Sequence, residues 1–148
     1  MRLIEKAFAD AKNDLTKNWK EFAGDASNPL IKECYAAVDG LGDPELIDDG
    51  DKPWCSCYVN KKVQNGGGRG TRSAAARSWL QWGKILEEPE IGCIAVKKRG
   101  RSNWMGHVGF VYEIGPTYIV LLGGNQDNRV CLQRYPRKEF IGFRTSKD

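Results

Sequence analysis

The chain has 148 residues, with 23 basic and 19 acidic side chains, five cysteines and a single histidine. That length suits one core burying about 70% of the surface the unfolded chain exposes, and 41% apolar with 28% charged residues excludes a disordered chain. Five cysteines argue against a complete disulfide framework, and one histidine excludes every site that needs two, so any histidine chemistry falls to His107.

Residues 2–22 carry Leu3, Ile4, Ala7, Phe8, Ala11, Leu15, Trp19 and Phe22 at spacings of three and four, which predicts an amphipathic helix ended by Gly24. Ser27, Asn28 and Pro29 open a second predicted helix, which runs through Leu30, Ile31, Cys34, Tyr35 and Val38 to Gly40. Residues 40–53 (GLGDPELIDDGDKP) have loop composition. A third helix is expected from Pro53, with Cys55, Val59 and Val63 on one stripe and a glycine run from Gly66 as its stop. Ser73–Trp82 predicts a short fourth helix. Beyond Gly83 the period changes to short β-type runs: Ile91–Val96, His107–Ile114, Tyr118–Leu122, Val130–Tyr135 and Phe140–Arg144. Helices first and an antiparallel sheet second define an α+β class.

The charge is divided. Residues 1–50 hold 6 basic and 11 acidic side chains, and residues 51–148 hold 17 and 8, so an anionic partner is expected to meet the second part. No stretch reaches the roughly 18 apolar residues of a membrane span, and the N-terminal residues lack an apolar signal core. The expectation is synthesis in the cytoplasm without a signal peptide and no membrane insertion.

Three strings carry the candidate chemistry: PWCSCYV at 53–59, GHVGFV at 106–111 and GGNQ at 123–126. Cys55 falls in the first turn of a predicted helix, where unpaired N–H groups and the helix dipole favour a thiolate and can face a developing oxyanion. A cysteine nucleophile needs a base, and the base needs an acceptor for its other N–H. His107 can be that base, and Asn125 or Gln126 that acceptor. Cys57 lies about 200° around the helix from Cys55 and is expected to be buried or inert. Zinc held by Cys55, Cys57, Cys93, Cys131 and His107 lacks the paired ligand spacing of known sites, so no metal is expected. Trp54 and Trp104 flank the candidate residues in sequence and are taken as substrate contacts, Trp104 foremost. The basic segments 69–77 and 97–101 would steer an anionic partner. A nucleic-acid-binding module is one rival reading, predicting salt-sensitive binding, but no nucleic-acid motif supports it; a wall-binding or scaffold protein of the same fold without catalysis is the other.

PWCSCYV, ARSWLQWGK (76–84), GHVGFV and LLGGNQDNRV (121–130), with Tyr135-Pro136 and the closing IGFR (141–144), resemble in order the CHAP and NlpC-type cysteine peptidoglycan hydrolases, closest to small single-domain members of phages and bacteria. The resemblance spans roughly 27–144, leaving 1–26 as an N-terminal helical extension of a single 1–148 domain. It implies a papain-like α+β fold with helices packed on an antiparallel sheet. It also implies Cys55 as nucleophile, His107 as general base and Asn125 as third member, with Gln126 the fallback in register. The implied activity is cleavage of amide bonds in peptidoglycan peptide stems without a cofactor, as an amidase or endopeptidase. The expected setting is a monomeric phage endolysin acting in the periplasm or cell wall. An antibacterial effector of the same chemistry, paired with an immunity protein, is the alternative.

Overall fold

The computed structural model describes residues 1–17, 29–40, 54–126 and 129–148. Helix α1 (Leu3–Asn13) buries Ile4, Ala7, Phe8 and Ala11, the predicted stripe. It gives way to a 3-10 turn at Asp14–Thr16, and the remainder of the predicted 2–22 helix, with Gly24, lies outside the described residues. The N-terminal turn of α1, whose first N–H groups have no intrahelical acceptor, is closed by the other end of the chain. Leu3 N donates to Asp148 Oδ2 (2.8 Å) and Ile4 N to Ser146 Oγ (3.1 Å), while the Arg2 guanidinium reaches the Ser146 carbonyl (2.9 Å). A hydrogen bond from Ser146 and the Leu3 N–H hold the Asp148 carboxyl below its ordinary pKa.

Helix α2 spans Pro29–Ala36 and α3 spans Cys55–Asn65. The Tyr58 N–H to Trp54 carbonyl bond (2.9 Å) starts α3, with Trp54 as its N-cap residue. The predicted loop 40–53 falls, except for Gly40, outside the described residues. Ser73–Trp82 differs from expectation: only Ala76–Gln81 is helical, and it is a 3-10 helix. Ser73 Oγ accepts from the Ala75 N–H at its start, and its own Arg77 and Ser78 side chains reach out to the Met105 carbonyl and to Thr71 Oγ1, so tertiary anchoring outweighs the α propensity of the run.

Six antiparallel strands follow: β1 (Lys84–Leu86), β2 (Ile94–Lys98), β3 (Gly106–Ile114), β4 (Tyr118–Gln126), β5 (Arg129–Pro136) and β6 (Phe140–Thr145). Their order in the sheet is β1-β6-β2-β3-β4-β5. β1 lies outside the expected β-type runs: Lys84 and Ile85 are exposed and Leu86 half-buried, so the segment carries no periodic signal and is a strand only by pairing with β6. Strand alternation separates two cores. Ile94, Val96, Val108 and Phe110 face the helices with Trp54, Val59 and Trp79. Ala95, Val111, Ile119 and Leu121 pack on the opposite face beneath Tyr135, Phe140 and Phe143. Helices packed on an antiparallel sheet confirm the α+β class. Among the described residues no helix is long and apolar enough to cross a membrane.

Two buried polar clusters lock α3 in place. Its outer side docks α1: Tyr58 OH donates to Asp14 Oδ2 (2.9 Å), and Lys62 pairs with both Asp14 and Asp10. On another side, Ser56 Oγ donates to the Ser73 carbonyl (2.6 Å) and accepts from Trp79 Nε1 (3.0 Å). Asn60 Nδ2 donates to the Ser56 and Ser73 carbonyls, and its Oδ1 accepts from the Arg72 N–H (2.8 Å). Gly70, at φ +74°, passes so close to Asn60 Oδ1 that a Cβ would collide with it. This network fixes segment 70–79 against the start of α3.

Candidate active site

Cys55 is the first residue of α3, and the N-terminal end of that helix abuts β3 and β4. At that position its N–H has no intrahelical acceptor and the helix dipole is positive. The side chain is 3% exposed. Burial by itself pushes the thiol pKa up. The opposing pull of His107, through charge and a hydrogen bond, together with the N–H groups of Val108 and Ser56, brings it below the ordinary cysteine value. The other thiols of the helical core behave in the opposite sense. Burial and the neighbouring Cys55 push Cys57 up to about 12, and burial with Cys57 pushes Cys34 up further. Cys57 is fully buried, as its helical phase predicts.

His107, the second residue of β3, is 8% exposed. Its Nε2 lies 2.9 Å from Gln126 Oε1. The orientation of that amide follows from its other end: Gln126 Nε2 donates to the Leu121 carbonyl (3.2 Å) and the Cys131 carbonyl (2.8 Å), so the oxygen must face the ring. The imidazole therefore carries its proton on Nε2 and offers Nδ1 to the thiol.

The Asn125 expectation is corrected on geometry. Asn125 sits at φ +58° where the β4–β5 register breaks between Gly123 and Gln126, and it makes no hydrogen bond to the histidine. The irregularity offsets the two-residue alternation, and Gln126, 2% exposed, is the residue that points inward.

Trp54 is also corrected. It is fully buried, with its ring edge-on to Tyr58 at 6.4 Å. β4 crosses directly above it, and a Cβ at Gly124 would collide with the indole. It is a wedge between helix and sheet and cannot touch a substrate. Trp104 is the reverse: 77% exposed, it lines a cavity of about 290 Å³ that reaches Cys55. Arg99, Met105, Gly106 and Ala74–Ala76 complete that cavity, so of the two basic segments 97–101 contributes a cation, Arg99, while 69–77 contributes alanines.

Tyr135 was not singled out by its residue type. Its ring lies 5.6 Å from the imidazole and carries Lys97 Nζ at 4.7 Å from its centroid. Lys97 faces His107 across β2–β3 and pairs with Glu139. Burial pushes the Tyr135 phenol pKa up, so it stays neutral beside the ring. The only signal available was alternation, which puts His107 and Tyr135 on one face of the sheet provided the strand order is known.

A thiol at a helix start, an imidazole at a strand start and an amide orienting the imidazole define the class of papain-like thiol hydrolases. Comparison with known proteins agrees. The CHAP domain family profile matches residues 47–125, just over half of the chain, and this protein belongs to that family. Membership implies cysteine-dependent hydrolysis of peptidoglycan. The fold is similar to the crystal structure of the P60 domain of an antigen from M. avium subspecies paratuberculosis. The TM-score is 0.54 at 14% identity, covering 97% of this chain and 93% of that one. No curated protein matches the sequence.

Proposed function

We propose that the protein cleaves amide bonds of peptidoglycan peptide stems, with Cys55 as nucleophile, His107 as general base and acid, and Gln126 as the residue that orients the imidazole. The observation carrying this reading is the fixed Gln126–His107 hydrogen bond at 2.9 Å beside a thiol whose pKa is lowered in spite of burial. Nδ1 of His107 takes the Cys55 proton, and the thiolate attacks the amide carbonyl. The oxyanion forms in front of the helix start, where the Cys55 N–H is one donor. The imidazolium then protonates the leaving amine, the C–N bond breaks, and a water activated by His107 hydrolyses the thioester and regenerates the thiol.

The biological setting we propose is that of a phage endolysin acting on the wall, with the basic 51–148 part favouring an anionic polymer. The deciding experiment is turbidity loss of purified sacculi with wild type and Cys55→Ala, followed by mass spectrometry of the released fragments. Wild type clears the suspension and frees new amino termini or free stems, and the folded variant does neither. Clearing by Cys55→Ala at the wild-type rate refutes the thiol mechanism.

A further inference from the structure

The cavity in front of Cys55 has one apolar wall, the methyl groups of Ala74, Ala75 and Ala76, and one cationic side chain, Arg99. Among the described residues Arg99 forms neither an ion pair nor a hydrogen bond, unlike Arg72, Arg77, Arg137 and Arg144, which are all engaged with protein oxygens. The loop that carries it is braced. Arg77 Nε donates to the Met105 carbonyl (2.7 Å) and Arg77 Nη2 to the Ser102 carbonyl (2.8 Å). Ser102 Oγ accepts from the N–H groups of Trp104 (3.2 Å) and Met105 (3.0 Å). Trp104 is thus an exposed indole carried on a braced backbone, so covering it orders the side chain but little main chain.

A guanidinium with its five donors uncommitted, at the mouth of an apolar cavity that ends at a reactive thiol, matches the planar geometry of a carboxylate. Resting on the hydrolase reading, we infer that the enzyme selects stems bearing a free carboxylate on the residue beside the scissile amide. Arg99 binds that carboxylate, Ala74–Ala76 limit the side chain to a small or unbranched one, and Trp104 packs against its apolar flank. A stem whose carboxylates are converted to carboxamides presents the same shape without the charge, and the site discriminates against it.

The test compares kcat/KM on two synthetic stem peptides that differ only in carrying free α-carboxylates or carboxamides on their glutamyl and diamino-acid residues. Wild type is expected to prefer the carboxylate peptide by about tenfold, the order of one charge-assisted hydrogen bond. Arg99→Gln should abolish the preference by slowing the carboxylate peptide alone, and Arg99→Lys should keep part of it. Equal rates on both peptides in wild type, or equal slowing of both in Arg99→Gln, overturns the inference. So does cleavage of neither peptide by an enzyme that still clears sacculi. A Cys55→Ala protein that clears sacculi refutes the hydrolase reading instead, so the two failures are distinguishable.

Discussion

Gln126 holds His107 by a 2.9 Å contact between Oε1 and Nε2, and the adjacent Asn125, one position away on the same strand, does not reach the ring. The amide of Gln126 is fixed at its far end by the Leu121 and Cys131 carbonyls. The histidine tautomer is therefore set by backbone geometry two strands deep. Gln126→Ala should lower kcat by about 10²-fold or more through loss of that tautomer, whereas Asn125→Gly, which suits the left-handed φ, should leave kcat close to wild type. Steady-state kinetics on a soluble stem peptide decides between them.

Alkylation reports the thiol directly. Burial opposes the Cys55 thiolate, but His107 together with the Val108 and Ser56 N–H groups outweighs it, so the folded pKa lies below the ordinary value. Iodoacetamide should therefore label Cys55 rapidly at pH values where an unperturbed cysteine is still protonated. The rate should fall only as pH drops through the depressed pKa. The same interaction adds stability above the pKa of the unfolded thiol, and that contribution is lost as pH falls through the folded value. In His107→Ala burial is opposed only by the Val108 and Ser56 N–H groups, the pKa moves up, and labelling at neutral pH slows. A Cys131→Ser background removes the half-exposed second thiol.

The two tryptophans flanking the catalytic strings should separate cleanly. Trp54→Ala empties a fully buried site between α3 and β4 and should cost about 3–5 kcal/mol of stability, read as a lower urea midpoint. Trp104→Ala should leave that midpoint unchanged and raise KM, since the side chain is exposed at the mouth of the cavity.

The docking of α1 on α3 depends on buried charge. Lys62→Met removes the buried cation from Asp14, leaving the exposed Lys17 (3.5 Å) and the neutral donor Tyr58, and should destabilise by about 3 kcal/mol. Restoring neutrality with Asp14→Asn in the same chain should recover part of the loss, and denaturant unfolding of the single and double variants measures it.

The sequence by itself determined the local features: the amphipathic stripe of α1, Cys55 at the start of a helix with Val59 and Val63 behind it, and five β-type runs after Gly83. A single histidine left one residue for the base. These are properties of neighbouring residues, set by a 3.6- or two-residue period and by helix-end electrostatics. The tertiary structure alone decided what depends on distant segments. Asn125 and Gln126 are equivalent by composition until an irregular register in β4–β5 turns one of them inward. Trp54 and Trp104 are the same side chain, and only the passage of β4 over α3 buries the first. β1, the 3-10 form of Ala76–Gln81, and the meeting of Tyr135 with His107 likewise arise from pairing and packing across the sheet. Period and propensity act within a few residues. Register, close approach and the facing of side chains are fixed only when strands far apart in sequence come together.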